Sequence, residues 1–200
     1  MIFIGDYLAF GLIIVLFMFF FDSKNSIRHM PATSVIFVIS LCMTALNAVT
    51  DLCTGHLMNN SSVPLWINLL VNSLYFLTNI ITTSTIALYL FTQILKHTYS
   101  RHCMRNACIG LAVLDVIYLC VVVLNIWTGW LFYFQEDGTY CRGQLNFFGY
   151  LITLAQMLLV LICYFRNRAI ASRPMRRALL QIFPVIPLCI LVQRIYPEII

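Results

Sequence analysis

From Leu65 to Leu95 the chain runs without one charged side chain. A helix rises about 1.5 Å per residue and the hydrocarbon core of a bilayer is about 30 Å thick, so about 20 mostly apolar residues cross it. Five further apolar runs accompany this one. They are residues 2–21, with only Asp6 charged; about 34–50; about 108–130, containing Asp115; 145–165; and about 178–192, bounded by Arg177 and Arg194. In water all six would need covering, and the remainder of the chain is too small to do it. Of the 200 residues 62% are hydrophobic and 10% charged, with 15 Phe, 10 Tyr and 3 Trp among them. Soluble chains sit near 45–50% apolar and about 25% charged. The composition excludes a soluble enzyme, a disordered chain and a basic nucleic-acid binder. The expected fold is an all-α polytopic transmembrane helix bundle of about six spans. It forms one membrane domain over residues 1–200, multi-pass in the cell membrane, with the lipid bilayer as its solvent.

The first run has no basic leader and no small-residue cleavage site, which argues against a cleaved signal peptide. The sixth is short and carries Pro184 and Pro187, each of which removes a helix hydrogen bond. It either spans, with its flanking arginines reaching to the interface, or lies half-inserted.

Orientation follows from the basic residues, which stay with the cytoplasmic loops. Lys24 and Arg28 follow the first run. Lys96, Arg101 and Arg105 follow the third. Arg166, Arg168, Arg173, Arg176 and Arg177 follow the fifth. Only Arg142 and Arg194 lie elsewhere. Three alternate loops agree, so the amino terminus is expected outside and these loops inside. Trp66, Trp127, Trp130 and Tyr133 fall at the opposite ends of the runs, where amphipathic rings favour the headgroup level. The net charge of +5 is therefore a topology signal and a membrane-surface strip, not a nucleic-acid surface. The strip Arg166, Arg168, Arg173, Arg176 and Arg177 would attract anionic lipid by about 1 kcal/mol per residue. The stretch Gln135–Gly143 reads as a polar, turn-rich outer loop.

Most of the eight cysteines lie in or beside apolar runs and behave as small hydrophobes. Cys53 and Cys141 are the two expected in outer loops, and a bridge between them is left open by the sequence. There is no C-x-x-C, so no zinc ribbon is expected. His97, His102 and Cys103 share a cytoplasmic loop but lack a fourth ligand at metal-motif spacing, so no metal site and no cofactor is assigned. Asn60-Ser61-Ser62 matches a glycosylation acceptor, which matters only in a eukaryotic secretory route.

Two features inside the runs carry polar chemistry. Asn68, Asn72, Asn79 and Thr83 are spaced so that a helical period returns them to nearly one face, with Tyr75 on the same side. Such a stripe points at other helices. Either it lines a pocket for a small polar ligand, or its amides bond across helices and hold the bundle together. Asp115 is the one acid well inside a run, near the cytoplasmic third of the fourth. A charge there costs about 2.5–3.5 kcal/mol on insertion scales, so the carboxyl is expected protonated, near the interface, or paired with Arg105 or Arg166. A proton path is the functional alternative, although a single acid is not a relay.

The order of features resembles a known type of region. An outside amino terminus, a third span opening near Trp66 and rich in Asn and Thr, and an outer loop ending Tyr140-Cys141-Arg142-Gly143 before Phe147-Phe148-Gly149-Tyr150 are similar to the multi-helix sensory module of clostridial membrane-bound GGDEF diguanylate cyclases. They are also similar to the seven-helix regions of some histidine kinases. Arg176 to Pro197, with Gln193-Arg194-Ile195-Tyr196-Pro197, looks like the sixth helix and the turn to a seventh. The resemblance implies a seventh helix, a helical linker, a cytoplasmic GGDEF domain making cyclic di-GMP, and a homodimer. The chain stops at Glu198-Ile199-Ile200, so it is expected to continue into these parts. It carries neither a GGDEF signature nor a phosphoacceptor-histidine box, and no residue is assigned a catalytic role.

The leading expectation is a sensory region coupling an external or bilayer signal, through an unidentified small ligand or the lipid itself, to a cytoplasmic output. A small transporter or permease subunit is the alternative; it predicts internal repeats and paired broken helices, and neither is visible. An intramembrane enzyme would need clustered His, Asp or Glu, which Asp115 alone does not supply.

Overall fold

The structure is a computed structural model that describes residues 32–58, 63–95, 101–135 and 138–168, together with Ile14. Among the described residues four helices make up the bundle: α1 (Ala32–Met58), α2 (Leu65–Leu95), α3 (Arg101–Thr128) and α4 (Phe148–Arg166). A two-stranded hairpin, β1 (Phe132–Phe134) and β2 (Tyr140–Arg142), lies between α3 and α4. All four helices are long and apolar enough to cross a membrane. The chain is thus a helical membrane protein by length and composition. The runs expected at 2–21, apart from Ile14, and at 178–192 lie outside the described residues, as do Arg173, Arg176 and Arg177.

Two helices overrun their expected bounds. α1 continues past Thr50 to Met58, and α3 begins at Arg101 rather than at 108. The backbone hydrogen-bond ladder does not stop where the side chains turn polar, because helix interiors accept Thr, His and Arg at small cost. Cys53 is consequently in a helix and not in a loop, and both Cys53 and Cys141 are free thiols. The 31 residues of α2 amount to about 46 Å of helix, more than the hydrocarbon depth, so α2 either tilts or projects. It starts just after Pro64, whose carbonyl accepts from Ile67 N and Asn68 N.

The helices alternate in direction. Thr50 meets Thr78, Thr82 meets the carbonyl of Met43, and Phe37 meets Tyr89, so α1 and α2 are antiparallel. Leu90 and Ile94 share a cluster with Leu111, Met157 and Val160, and Phe76 and Ile80 share one with Tyr118, Val122 and Ile152, which sets α3 antiparallel to α2 and to α4. Trp66, Trp127, Trp130 and Tyr133 therefore gather at one end, and Arg105, Arg166 and Arg168 at the other. These are the two classes of residue that the sequence placed on opposite membrane faces.

Central α2 packs on each of the other three helices, whereas α1 packs chiefly on α2. The Thr-rich part of α2 satisfies most of its hydroxyls locally. Thr82, Thr83, Thr85 and Thr92 donate to carbonyls three or four residues back. Two apolar clusters fill the interior. One, toward the arginine end, joins Ala87, Leu90, Phe91, Ile94, Leu111, Met157 and Val160. The other, toward the tryptophan end, joins Phe76, Ile80, Tyr118, Val122, Leu131, Phe132 and Ile152.

Candidate functional site

Between the two apolar clusters lies a single polar layer. Ser84 comes one turn after Ile80 in α2, Asp115 between Leu111 and Tyr118 in α3, and Gln156 just before Met157 in α4. The Ser84 hydroxyl donates to the Asp115 carboxylate, with Oγ 2.6 Å from Oδ1 and 2.8 Å from Oδ2. Gln156 Nε2 donates to Ser84 Oγ at 2.7 Å and to Asp115 Oδ1 at 2.8 Å. Three helices thus meet in one closed set of hydrogen bonds. Gln156 is fully buried at 0% exposure, Ser84 is buried, and Asp115 is half-buried. Gln156 Oε1 is buried and has no hydrogen-bond partner among the described residues.

Asp115 pairs with neither arginine that the sequence suggested. Arg105 and Arg166 are exposed, and Arg105 lies ten residues away along α3, about 15 Å of rise. With α3 beginning at Arg101, Asp115 also stands at the middle of its helix rather than in the cytoplasmic third. Its charge is met by neutral donors instead.

The Asn stripe of α2 is not part of this layer. At about 100° per residue, Ser84 lies roughly 100° or more around α2 from the stripe. Asn68 and Asn72 are buried, and Asn72 Nδ2 donates to the Asn68 carbonyl at 2.8 Å. The Asn68 side-chain oxygen is buried without a hydrogen-bond partner among the described residues. Tyr75, Asn79 and Thr83 are half-buried, and the Thr83 hydroxyl bonds to Ile80 O of its own helix. The α1–α2 seam uses other residues: Thr78 contacts Thr50 Oγ1 at 2.9 Å and Asn47 Oδ1 at 3.1 Å.

The tryptophan end is closed by a folded cap. Gly129 ends α3 in the left-handed region (φ 62°), which a glycine adopts without a Cβ penalty. The chain then doubles back over Asn125. The carboxamide oxygen of Asn125 accepts from Leu131 N (2.6 Å) and Phe132 N (3.3 Å), and its nitrogen donates to Phe132 O (3.1 Å). Leu131 and Phe132 are both fully buried. Gly143 N and Asn146 Nδ2 donate to Leu131 O, and Leu145 N donates to Trp130 O. A Cβ on Gly143 would collide with the carbonyl oxygens of Trp130 and Gly129.

The hairpin pairs Phe132 with Arg142, Tyr133 with Cys141 and Phe134 with Tyr140. Phe132 stacks on Phe76 of α2 (5.4 Å between centroids, 4° between planes) and on Tyr140 (5.9 Å, 19°). Burial pushes the Tyr140 hydroxyl up to about 12, against the opposing pull of the Arg142 charge and the Asn146 hydrogen bond. Gln135 Nε2 donates to Cys141 Sγ at 3.2 Å.

Beside the hairpin lies an open cavity of about 640 Å³, walled by Leu65, Leu69, Trp127, Trp130, Tyr133 and Arg142 among others. None of Asn68, Asn72, Tyr75, Asn79 and Thr83 lines it. At the opposite end Arg166 and Arg168 are exposed. Among the described residues no group of three His, Cys, Asp or Glu could hold a metal ion.

Ser84, Gln156 and Asn125 were not singled out by sequence reasoning. Gln156 had a signal, as the single amide in α4. Ser84 had none, standing in a run of serine and threonine that mostly bond to their own helix. Comparison with protein-family models, with curated proteins and with solved structures found no match.

Proposed function

We propose that this chain is the membrane-embedded sensory region of a signal-transduction protein, with the tryptophan end outside. It couples an external or bilayer signal to a cytoplasmic output, of the GGDEF diguanylate cyclase type that the sequence resembles, and works as a homodimer. One observation supports this reading above others. The cap joins the end of α3 to the start of α4, its cavity is walled by the start of α2, the end of α3 and the hairpin, and α3 and α4 both reach the arginine end. A ligand or a change in lipid packing that favours one hairpin position favours one arrangement of α3 against α4. Such a bias passes along stiff helices without a moving part at mid-depth.

The cavity suits a small amphipathic ligand: Trp and Tyr rings give area, and Arg142 gives a cation at the rim. The test begins with the reading frame downstream of codon 200, where a GGDEF domain in frame is expected. Cyclic di-GMP is then measured in cells carrying the full-length protein with Arg142→Ala or Trp127→Ala. A several-fold change in the basal level is expected at unchanged protein abundance. A frame encoding no output domain, or cyclic di-GMP levels unmoved by both variants, overturns the reading.

A small transporter or permease subunit is the second reading, and one observation favours it. Asp115 stands midway along α3, and carriers place their coupling-ion sites near the middle of their spans. Uptake or counterflow in proteoliposomes separates it from signalling.

A further inference from the structure

We infer that Ser84, Asp115 and Gln156 form a proton-binding site at the middle of the bundle, in which the Asp115 carboxyl takes up and releases a proton while Ser84 and Gln156 re-orient around it. The site is a property of the bundle itself and goes beyond the signalling reading.

The first argument is the choice of partners. A carboxylate kept permanently charged at mid-depth is expected to face Arg or Lys. Asp115 faces a hydroxyl and an amide, both of which can donate or accept. In the ionised arrangement Ser84 O–H and Gln156 N–H point at the carboxylate. Turning the Gln156 amide by half a revolution exchanges its nitrogen and oxygen at nearly the same positions. The protonated carboxyl then donates to Ser84 Oγ, and Ser84 O–H donates to the amide oxygen. The carboxyl–hydroxyl and hydroxyl–amide contacts keep a hydrogen each, while the amide oxygen now faces Asp115 Oδ1 with none between them, so that one contact, 2.8 Å in the ionised arrangement, lengthens. Turning breaks no bond on the far side of the amide, because Oε1 has no partner there. Each arrangement leaves one end of the amide unpartnered, and the triad accepts either protonation state with the Gln156–Asp115 contact as the one that relaxes.

The second argument is isolation. α2 contributes no Asp, Glu, Lys, Arg or His at all, and its titratable groups are Tyr75 and Tyr89. α3 carries Arg101, His102 and Arg105 at its start, with Cys108, Tyr118 and Cys120 nearer. α4 carries Tyr150, Cys163, Tyr164 and Arg166. None of these hydrogen-bonds to Asp115, whose hydrogen bonds run to Ser84 and Gln156 alone among the described residues. The carboxyl is half-buried while Ser84 and Gln156 are buried, so of the three it is the group that an incoming proton meets first. One O–H bond forms on the carboxyl and one breaks on hydronium; release reverses this, and nothing is oxidised or reduced.

The experiment is infrared difference spectroscopy of the full chain in lipid nanodiscs between acid and alkaline buffers. Wild type is compared with Asp115→Asn, Ser84→Ala and Gln156→Leu, with helix content checked by circular dichroism. The expected result is a protonated-carboxyl C=O band that titrates in wild type and is missing in Asp115→Asn. Its midpoint should move by roughly one pH unit in Ser84→Ala and in Gln156→Leu, the size of one hydrogen bond. A purely structural Asp115 would give no titrating band while the bundle stays folded, which overturns the inference. So does a band whose midpoint ignores both partner variants. Repeating the titration with sodium replaced by N-methylglucamine provides the last arm. A midpoint that follows the sodium concentration marks a metal-cation site and overturns the proton assignment.

Discussion

At the capped end Asn125 satisfies backbone groups of Leu131 and Phe132, a few residues along the same chain. At mid-depth Ser84, Asp115 and Gln156 satisfy one another, across separations of 31, 41 and 72 residues. Both regions bury polar atoms among apolar ones. The cap has a single solution, because the Asn125 amide is held by backbone groups of fixed direction at both its oxygen and its nitrogen, and Gly143 leaves no room for a Cβ. The triad has two, because a hydroxyl, a carboxyl and an amide each change role by rotating. Buried polarity makes a rigid element when its partners are backbone, and a switchable one when they are side chains.

Substitutions can break that contrast. Gly143→Ala is expected to have the largest effect, because a methyl group there meets backbone that cannot rotate away. The cap should fail to close, at a cost above about 4 kcal/mol. It should be read as a red shift of tryptophan fluorescence and faster proteolysis near the hairpin, with helix content kept. Next is Asn125→Leu, which strips the side-chain partner from Leu131 N and Phe132 N. Unsatisfied buried donors cost about 1–3 kcal/mol each, so a loss of about 3 kcal/mol in cap stability is expected in the same assays.

Gln156→Leu should cost less, about 1–2 kcal/mol in thermal or denaturant unfolding in micelles, since hydrogen bonds between membrane helices are individually weak. It should leave the tryptophan spectrum unchanged, which separates the two regions. A red shift in Gln156→Leu would show that cap and triad are one cooperative unit.

Comparable in size is the pH dependence of the cap. Tyr140 sits at about 12 in the folded protein against an ordinary value of about 10. A raised value means the neutral phenol is favoured by folding. Its contribution is complete below about pH 10 and is lost as pH rises through about 12. Tyr140→Phe should flatten the stability profile in that window, measured by the wild-type-minus-variant difference in cap unfolding. Last comes Thr78→Val at the α1–α2 seam, expected to cost about 0.6 kcal/mol.

Much of the helical layout was legible from the sequence. α2 has the bounds read from its uncharged run, and α4 begins three residues later than expected. The hairpin strands were not legible: residues 135–143 read as a turn-rich loop, and three-residue strands give too few alternations to register as a period. Asp115 was visible as an oddity, but its partners were not.

Residue order alone settled which segments are apolar, how long they are and at which ends the arginines and tryptophans gather, because those are properties of each segment taken singly and of its transfer into lipid. Tertiary structure decided that Ser84 rather than the Asn stripe meets the acid, and that Gln156 closes the set. A helix fixes which of its residues share a face, but its rotation and depth are set by side-chain packing against its neighbours, and that packing chose which face of α2 met α3 and α4.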